Sequence, residues 1–382
     1  MQTTDVLVVG AGLAGLRTAT RLAERGHDVL LVDRREQLRT AIRTTGIFVR
    51  RTLEDFALPE DCLGPPIRRV VLYPPSLRRP VRLDSGHDEF RVADMAALYE
   101  ASVEGAAAAG VRVALGTRYA GRHDGESLLV GPDGPRAVRA RFVVGADGAH
   151  SRVARDLGLD RNHHLLSGAE EVFPLARPTT GPPTFHCVVD PCLAPGYLAW
   201  VVDDGRHAHV GVAGYPHRFP NGMRAALREL AARAPGLVPD APAEQVERRG
   251  GPIPVGGLLR RIGCAEGLLV GDAAGAVSPL TAGGLDPCLR LSDHAVDVLD
   301  AALRHGHAQR VAGAYEGATL RARFRGRLLM RHGLAQVRSR AVAEAAFTVL
   351  RTPPGRTAAA RVLFGHGSFP DPAPAGLART GT

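Results

Sequence analysis

The stretch Val6-Leu7-Val8-Val9-Gly10-Ala11-Gly12-Leu13-Ala14-Gly15 constrains this chain more than any other. Four apolar residues, Val6 to Val9, suit an inner parallel strand buried on both faces. Gly10 lets the chain turn, Gly12 removes the Cβ that would block a pyrophosphate, and Gly15 lets the next helix pack against the strand. Ala11 and Ala14 belong to the same candidate contact set. The helix is expected over about residues 13–25, with Leu16, Ala19, Leu22 and Ala23 at helical spacing and Gly26 as its stop. Its N-terminus offers N–H groups and partial positive charge to phosphates. A second strand, residues 28–32, leads to Asp33, about 20 residues past the glycines, where a carboxylate can accept ribose hydroxyls; Arg34 beside it is counted with the site. A glycine-rich turn can be empty, but strand, turn, helix, strand and acid in series predict a dinucleotide site. They do not choose between NAD and FAD.

Two later segments make that choice. Arg141 to Ser151 contains Ala146-Asp147-Gly148-Ala149-His150-Ser151, and Leu268 to Gly275 contains Gly271-Asp272-Ala273-Ala274. With the first segment they resemble the flavoprotein superfamily that contains p-hydroxybenzoate hydroxylase and geranylgeranyl reductase. The resemblance covers most of the chain and implies noncovalent FAD, with the Asp147 strand end near the pyrophosphate and Asp272 on the ribityl chain. An aspartate ending a parallel strand sits at the rim where ligands bind and accepts bonds from sugar hydroxyls. The resemblance also puts the turn Val277 to Leu285, with Pro279, Gly283 and Gly284, beside the isoalloxazine. The helix that follows, to about Leu303, would stabilise the anionic reduced flavin by its dipole.

The chain departs from the family pattern in places. Asp33 stands where Glu is more common, and Val92 to Leu98 lacks the arginine that usually opens a helix there. In Ala41 to Ile47, Arg43 is the candidate for the arginine that approaches FAD, against the alternative of a solvated surface residue.

The chain has no lysine, so all 48 basic residues are arginine. That removes a lysine Schiff base, a P-loop lysine and a lysine nucleophile. Flavin halogenases depend on a lysine and a Trp-x-Trp-x-x-Pro segment, and here Trp200 is the sole tryptophan, so halogenation is disfavoured. The net charge of +9 is spread along the chain without interleaved aromatics, so no nucleic-acid partner is expected. Five cysteines without CxxC spacing read as reduced thiols, and no metal is expected. With no membrane-length apolar run and a strand at the very start, the expected location is cytoplasmic. Leu320, Phe324, Leu328, Leu329 and Val337 are read as one helical face, favoured as core packing, with peripheral membrane contact as the other reading.

The expected fold class is α/β with α+β insertions: a Rossmann-like FAD-binding domain (1–57, 91–157, 255–305) interleaved with an antiparallel-sheet substrate domain (58–90, 158–254). A helical region, 306–382, follows and ends in a loose tail from Phe369. Alternating segments at Ile67 to Tyr73, Thr184 to Val189, Leu198 to Val202 and His207 to Ala213 supply the substrate sheet. Thr45, Tyr73, Tyr197 and Trp200 are candidates for the pocket, since large amphipathic rings suit an apolar site. His186, His207 and His209 are read as surface or packing residues, and no catalytic acid or base is named.

Three reactions stay open. Gly275 after Asp-Ala-Ala, the run Ser278 to Gly284, and Pro195 to Trp200 favour reduction of a hydrophobic substrate in the manner of geranylgeranyl reductases, with NADH or NADPH as transient reductant. Hydroxylation through a flavin hydroperoxide and a non-redox role on the same scaffold are the alternatives.

Overall fold

The computed structural model describes residues 2–175, 181–234 and 246–364. In chain order its main strands are β1 (Gln2–Val9), β2 (Val29–Val32), β3 (Arg69–Tyr73), β4 (Val81–Asp84), β5 (Arg112–Ala114), β6 (Gly134–Gly145), β7 (Leu165–Pro174), β8 (Thr184–Val188), β9 (Ala199–Asp203), β10 (His207–Gly214), β11 (Glu247–Pro254) and β12 (Gly267–Leu269). The helices that bear on the site are α1 (Leu13–Glu24), α2 (Met95–Ala108), α3 (Arg152–Asp156), α4 (Met223–Arg233), α5 (Leu285–His305), α6 (Arg325–Gln336) and α7 (Arg340–Leu350).

The first sheet has the parallel order β12-β6-β1-β2-β5. Val6, Leu7 and Val8 are fully buried, as only a continuous apolar run permits when a parallel sheet is covered on both faces. Helix α1 buries Leu16, Ala19 and Leu22 and packs against α2 and α5. Its start thus lies at the carboxyl ends of the strands, where the loops after β1, β6 and β12 converge.

The second sheet runs β11-β7-β10-β9-β8-β3-β4. Its neighbours are antiparallel except β8 and β3, which pair in parallel, a correction to the expected purely antiparallel roof. The two strands come from different insertions, so no hairpin dictates their relative direction. The first of them also starts later than expected, at Arg69, with Ile67 held by an isolated bridge to Phe90. This sheet is covered on both faces. Ala199, Val201, Val210 and Val212 pack with Leu227 and Leu230 of α4 on the outer face. Leu72, Cys187, Trp200, Val202 and Ala213 pack on the inner face.

The region after α5 is helical, and Tyr315, fully buried, donates its hydroxyl to the Leu269 carbonyl at 2.9 Å, fastening it to β12. The single apolar face expected from Leu320 to Val337 does not form. The helix Gly317–Ala322 ends before α6 begins at Arg325, and the break turns the second half away. Leu320 and Phe324 enter the core, whereas Leu329 is 76 % exposed. The tail expected to be loose, from Phe369, lies outside the described residues.

Candidate functional site

The first loop is tight where the protein itself requires it and open where a ligand would need room. Gly10 has φ +107°, and a Cβ there would fall 2.3 Å from the Ala146 carbonyl oxygen. A Cβ on Gly15 would fall 1.8 Å from the Gly10 oxygen, while one on Gly12 would meet nothing within 4 Å. No side chain caps α1 at Gly12, so its first-turn N–H groups face that open space.

Asp33 ends β2 as expected, but its carboxylate is already engaged. Oδ2 accepts from Ala11 N at 2.7 Å and Arg35 Nη2 at 2.9 Å, and Oδ1 accepts from Arg35 N at 2.8 Å and Nε at 3.0 Å. Burial pushes its pKa up, yet the bonds and charge of Arg35 outweigh burial and hold it below the usual range. Arg35, which sits 6.0 Å over the Tyr99 ring, and not the exposed Arg34, is therefore the arginine at this acid. Two acceptor sites per oxygen are filled, so a ribose hydroxyl reaching Asp33 must displace an Arg35 bond.

Asp272 is the opposite case. Its carboxylate has no hydrogen-bond partner among the described residues, and burial pushes its pKa up to about 6 with the Arg43 guanidinium opposing the shift. Gly284 lies against it, since a Cβ there would be 3.7 Å from Oδ1. Helix α5 begins immediately afterwards with no side-chain cap. Asn162 Nδ2 donates to the Asp272 carbonyl at 2.8 Å and to the Ala149 carbonyl at 3.1 Å, fastening the two motif loops together. An unpartnered carboxylate between two uncapped helix starts, with room beside Gly12, fits a phosphorylated, polyhydroxylated cofactor.

Asp147 has a different role from Asp272. It accepts from Ser151 Oγ at 2.6 Å, Arg152 N at 2.7 Å and Val153 N at 3.2 Å, so its side chain builds the start of α3 and is not free for a ligand. The turn holding Pro279 and Gly283 is closed by Ser278 N donating to the Gly283 carbonyl at 2.9 Å. Tyr197 donates its hydroxyl to the Thr281 carbonyl, tying the roof to that turn.

The pocket candidates separate by sheet face. Thr45 and Trp200 meet at Glu170: Thr45 Oγ1 donates at 2.6 Å and the Trp200 indole at 3.0 Å, both to Oε1. Tyr73 is a correction. It alternates with inward Leu72, lies on the outer face with the α4 cluster, and bonds His186 Nδ1 at 3.0 Å. His209, read from sequence as surface or packing, is 1 % exposed and its Nε2 lies 3.2 Å from Asp204 Oδ2. Sequence reasoning missed Arg35, Asn162 and Glu170. Only Glu170 carried a signal: in Leu165–Pro174 it shares the two-residue period of Leu166 and Val172, which puts an acid on a core-facing position.

The FAD binding domain family matches residues 3–310. This chain belongs to that family. FAD is its cofactor, and it is an FAD-dependent oxidoreductase. It is 34 % identical over 296 residues to digeranylgeranylglycerophospholipid reductase 1 of Methanopyrus kandleri, covering 75 % of this chain and 77 % of that one. A geranylgeranyl bacteriochlorophyll reductase-like protein of Thermoplasma acidophilum shares the fold with a TM-score of 0.81 at 20 % identity, over 95 % of this chain and all of that one. The p-nitrophenol 4-monooxygenase of Pseudomonas putida shares it with a TM-score of 0.64 at 20 % identity, over 95 % of this chain and 94 % of that one.

Proposed function

We propose that this FAD-dependent oxidoreductase reduces carbon–carbon double bonds in the polyprenyl chain of a lipid, with NADH or NADPH as transient reductant. The observation that carries the reading is the 34 % identity to a protein named for reducing such a lipid. Bound FAD supplies reversible storage of a hydride. The residues of the chain supply the rest. The N–H groups of α1 and the space beside Gly12 receive the pyrophosphate, Asp33 the ribose and Asp272 the ribityl hydroxyls, with Arg43 close by. Pro279, Gly283 and Gly284 shape the turn whose following helix, α5, favours negative charge at its start. Residues 1–57, 91–157 and 255–305 then form the cofactor unit, and 58–90 with 158–254 the substrate unit.

Under the roof, Gly251, Gly168 and Ala213 lie in one cross-strand row on the inner face. Arg43 lies over Gly251 and Ile253 over Gly168, so these small residues make room for side chains of the protein itself. A single strand–turn–helix unit serves the flavin, so the nicotinamide must bind transiently at its surface. No helix among the described residues is long and apolar enough to cross a membrane; the proposed enzyme is cytoplasmic and meets its lipid at a membrane surface.

Hydroxylation is the second reading, favoured by the monooxygenase that shares the fold. Turnover of polyprenyl lipid under labelled O2 separates the two. A product heavier by two hydrogens and free of label supports reduction, and labelled oxygen in the product overturns it.

A further inference from the structure

Arginines run the length of the chain, but their excess over acids does not. Residues 317–364 hold ten arginines and a single acid, Glu344, a surplus of nine that equals the net charge of +9. Elsewhere in the chain arginines and acids are equal in number. The same segment carries apolar side chains turned to solvent. Among the described residues five large hydrophobic side chains are exposed, and four of them lie here: Leu329 (76 %) and Met330 (43 %) on α6, Val342 (54 %) and Val349 (67 %) on α7. A lone exposed apolar residue needs no explanation, whereas four on two consecutive helices do.

Helix α7 is not a core helix turned the wrong way, because its inner face is already complete. Ala343 and Phe347 are buried, and Phe347 belongs to the inner cluster of the roof with Trp200. Both ends are tied down. Arg340 Nε donates to the two oxygens of Asp190 at 3.1 and 3.0 Å, and Arg351 Nε donates to the Arg79 carbonyl at 2.9 Å. Glu344, the lone acid, is half-buried and accepts from Ser76 N at 2.7 Å. The opposite face is Val342, Ala345, Ala346 and Val349, at i, i+3, i+4 and i+7, all exposed and none charged. A helix face meant for water carries charged and polar residues instead. Exposed arginines flank this one. Arg338 precedes the helix, Arg356 follows on the helix Pro353–Leu363, and Arg78 and Arg79 sit on the loop between β3 and β4 that Arg351 grips.

We propose that the outer face of α7 is the surface by which this protein rests on a membrane of anionic phospholipid. Val342 and Val349 enter the boundary between headgroups and acyl chains, and the flanking arginines bind lipid phosphates. This rests on the reading that the enzyme meets its lipid at a membrane, and it names the surface that does so. A helix of this kind gains from apolar burial and from attraction to anionic headgroups together. Arginine suits the second task, since its planar fork matches a phosphate. The charge that favours an anionic bilayer disfavours a second copy of the chain, because a two-fold contact through this face would bring the same arginines together. Nucleic acid is the poorer fit, as the outer face offers no aromatic ring for a base to stack on. With Phe347 packed under the roof, docking through α7 holds the roof about one helix diameter, roughly 10 Å, from the bilayer.

Cosedimentation of the full-length, FAD-loaded protein with vesicles tests this. Wild type should bind vesicles of phosphatidylglycerol and phosphatidylcholine in equal parts and not vesicles of phosphatidylcholine alone. Binding should weaken as salt rises, because the attraction of exposed arginines to phosphates is screened. Val342→Glu and Val349→Glu should each weaken binding by about tenfold or more, the loss expected from one buried valine. Replacing Arg338 and Arg356 together by Gln should weaken it and flatten its salt dependence. Leu128→Glu, at the one exposed large hydrophobic residue outside the segment (44 %), should bind as wild type does. All of these side chains are exposed, so circular dichroism and the flavin spectrum should stay those of wild type. Valine variants that bind anionic vesicles as tightly as wild type, or a Leu128→Glu protein that loses as much as they do, would overturn the α7 surface and leave the membrane reading standing. A wild-type dimer in sedimentation velocity that Val349→Glu dissociates, with vesicle binding intact, would give the face to a second copy and overturn it too. Wild type that binds no vesicle would overturn both the surface and the membrane contact, while reduction of detergent-dispersed polyprenyl lipid is read in its own assay.

Discussion

Replacing Asp272 by Asn in the FAD-free protein should stabilise it. The wild-type carboxyl ionises near its ordinary 3.8 in the unfolded chain and at about 6 in the fold. Between those values the unfolded state gives up its proton first, so stability falls as pH rises from 4 to 6 and the penalty is complete above 6. A shift of roughly 2 units at 1.36 kcal/mol each sets the penalty at about 3 kcal/mol. Chemical denaturation of the apoproteins at pH 4 and pH 7.5 reads it. The two should be nearly equal at pH 4, and Asp272→Asn should be more stable by about 2–3 kcal/mol at pH 7.5. Adding FAD should reverse the order, because ligand that binds only the folded state stabilises whichever protein holds it more tightly. A variant no more stable than wild type at pH 7.5 would refute the reasoning that this carboxylate is kept unpartnered for a ligand.

Two contrasts test the frame around it. Gly10→Ala should yield no folded protein, since its φ of +107° and the 2.3 Å approach to Ala146 leave no room. Gly12→Ala should instead give wild-type circular dichroism with no bound flavin. Tyr315→Phe should cost about 1 kcal/mol, the net worth of one buried hydrogen bond, in thermal unfolding and leave the flavin spectrum unchanged, because its bond to Leu269 secures the helical region and not the cofactor.

Local sequence was sufficient where local rules decide the outcome. Val6 to Val9 can only be an inner strand, and Asp33 follows from its distance to the glycines. The misreadings are non-local. Whether Tyr73 faces the pocket depends on β3 pairing with β8 from another insertion, since one residue of register exchanges the two faces. Arg34 and Arg35 are adjacent and identical in type, and only the turn after β2 aims the second at Asp33. The apolar face from Leu320 to Val337 assumed one continuous helix, and a break near Phe324 turned Leu329 to solvent. Glu170 was legible as an inward acid, but its partners come from three other segments: Thr45 before the roof, Trp200 on β9 and His209 on β10.

The most direct test of the central claim is anaerobic reoxidation of the reduced flavoprotein by a geranylgeranyl-bearing glycerophospholipid, followed at the flavin absorbance with products read by mass. Reduction predicts stoichiometric recovery of oxidised flavin, one saturated double bond per flavin, and solvent-derived deuterium at the saturated carbons in D2O. A flavin that stays reduced until oxygen is admitted, and then gives an oxygenated product, would contradict it.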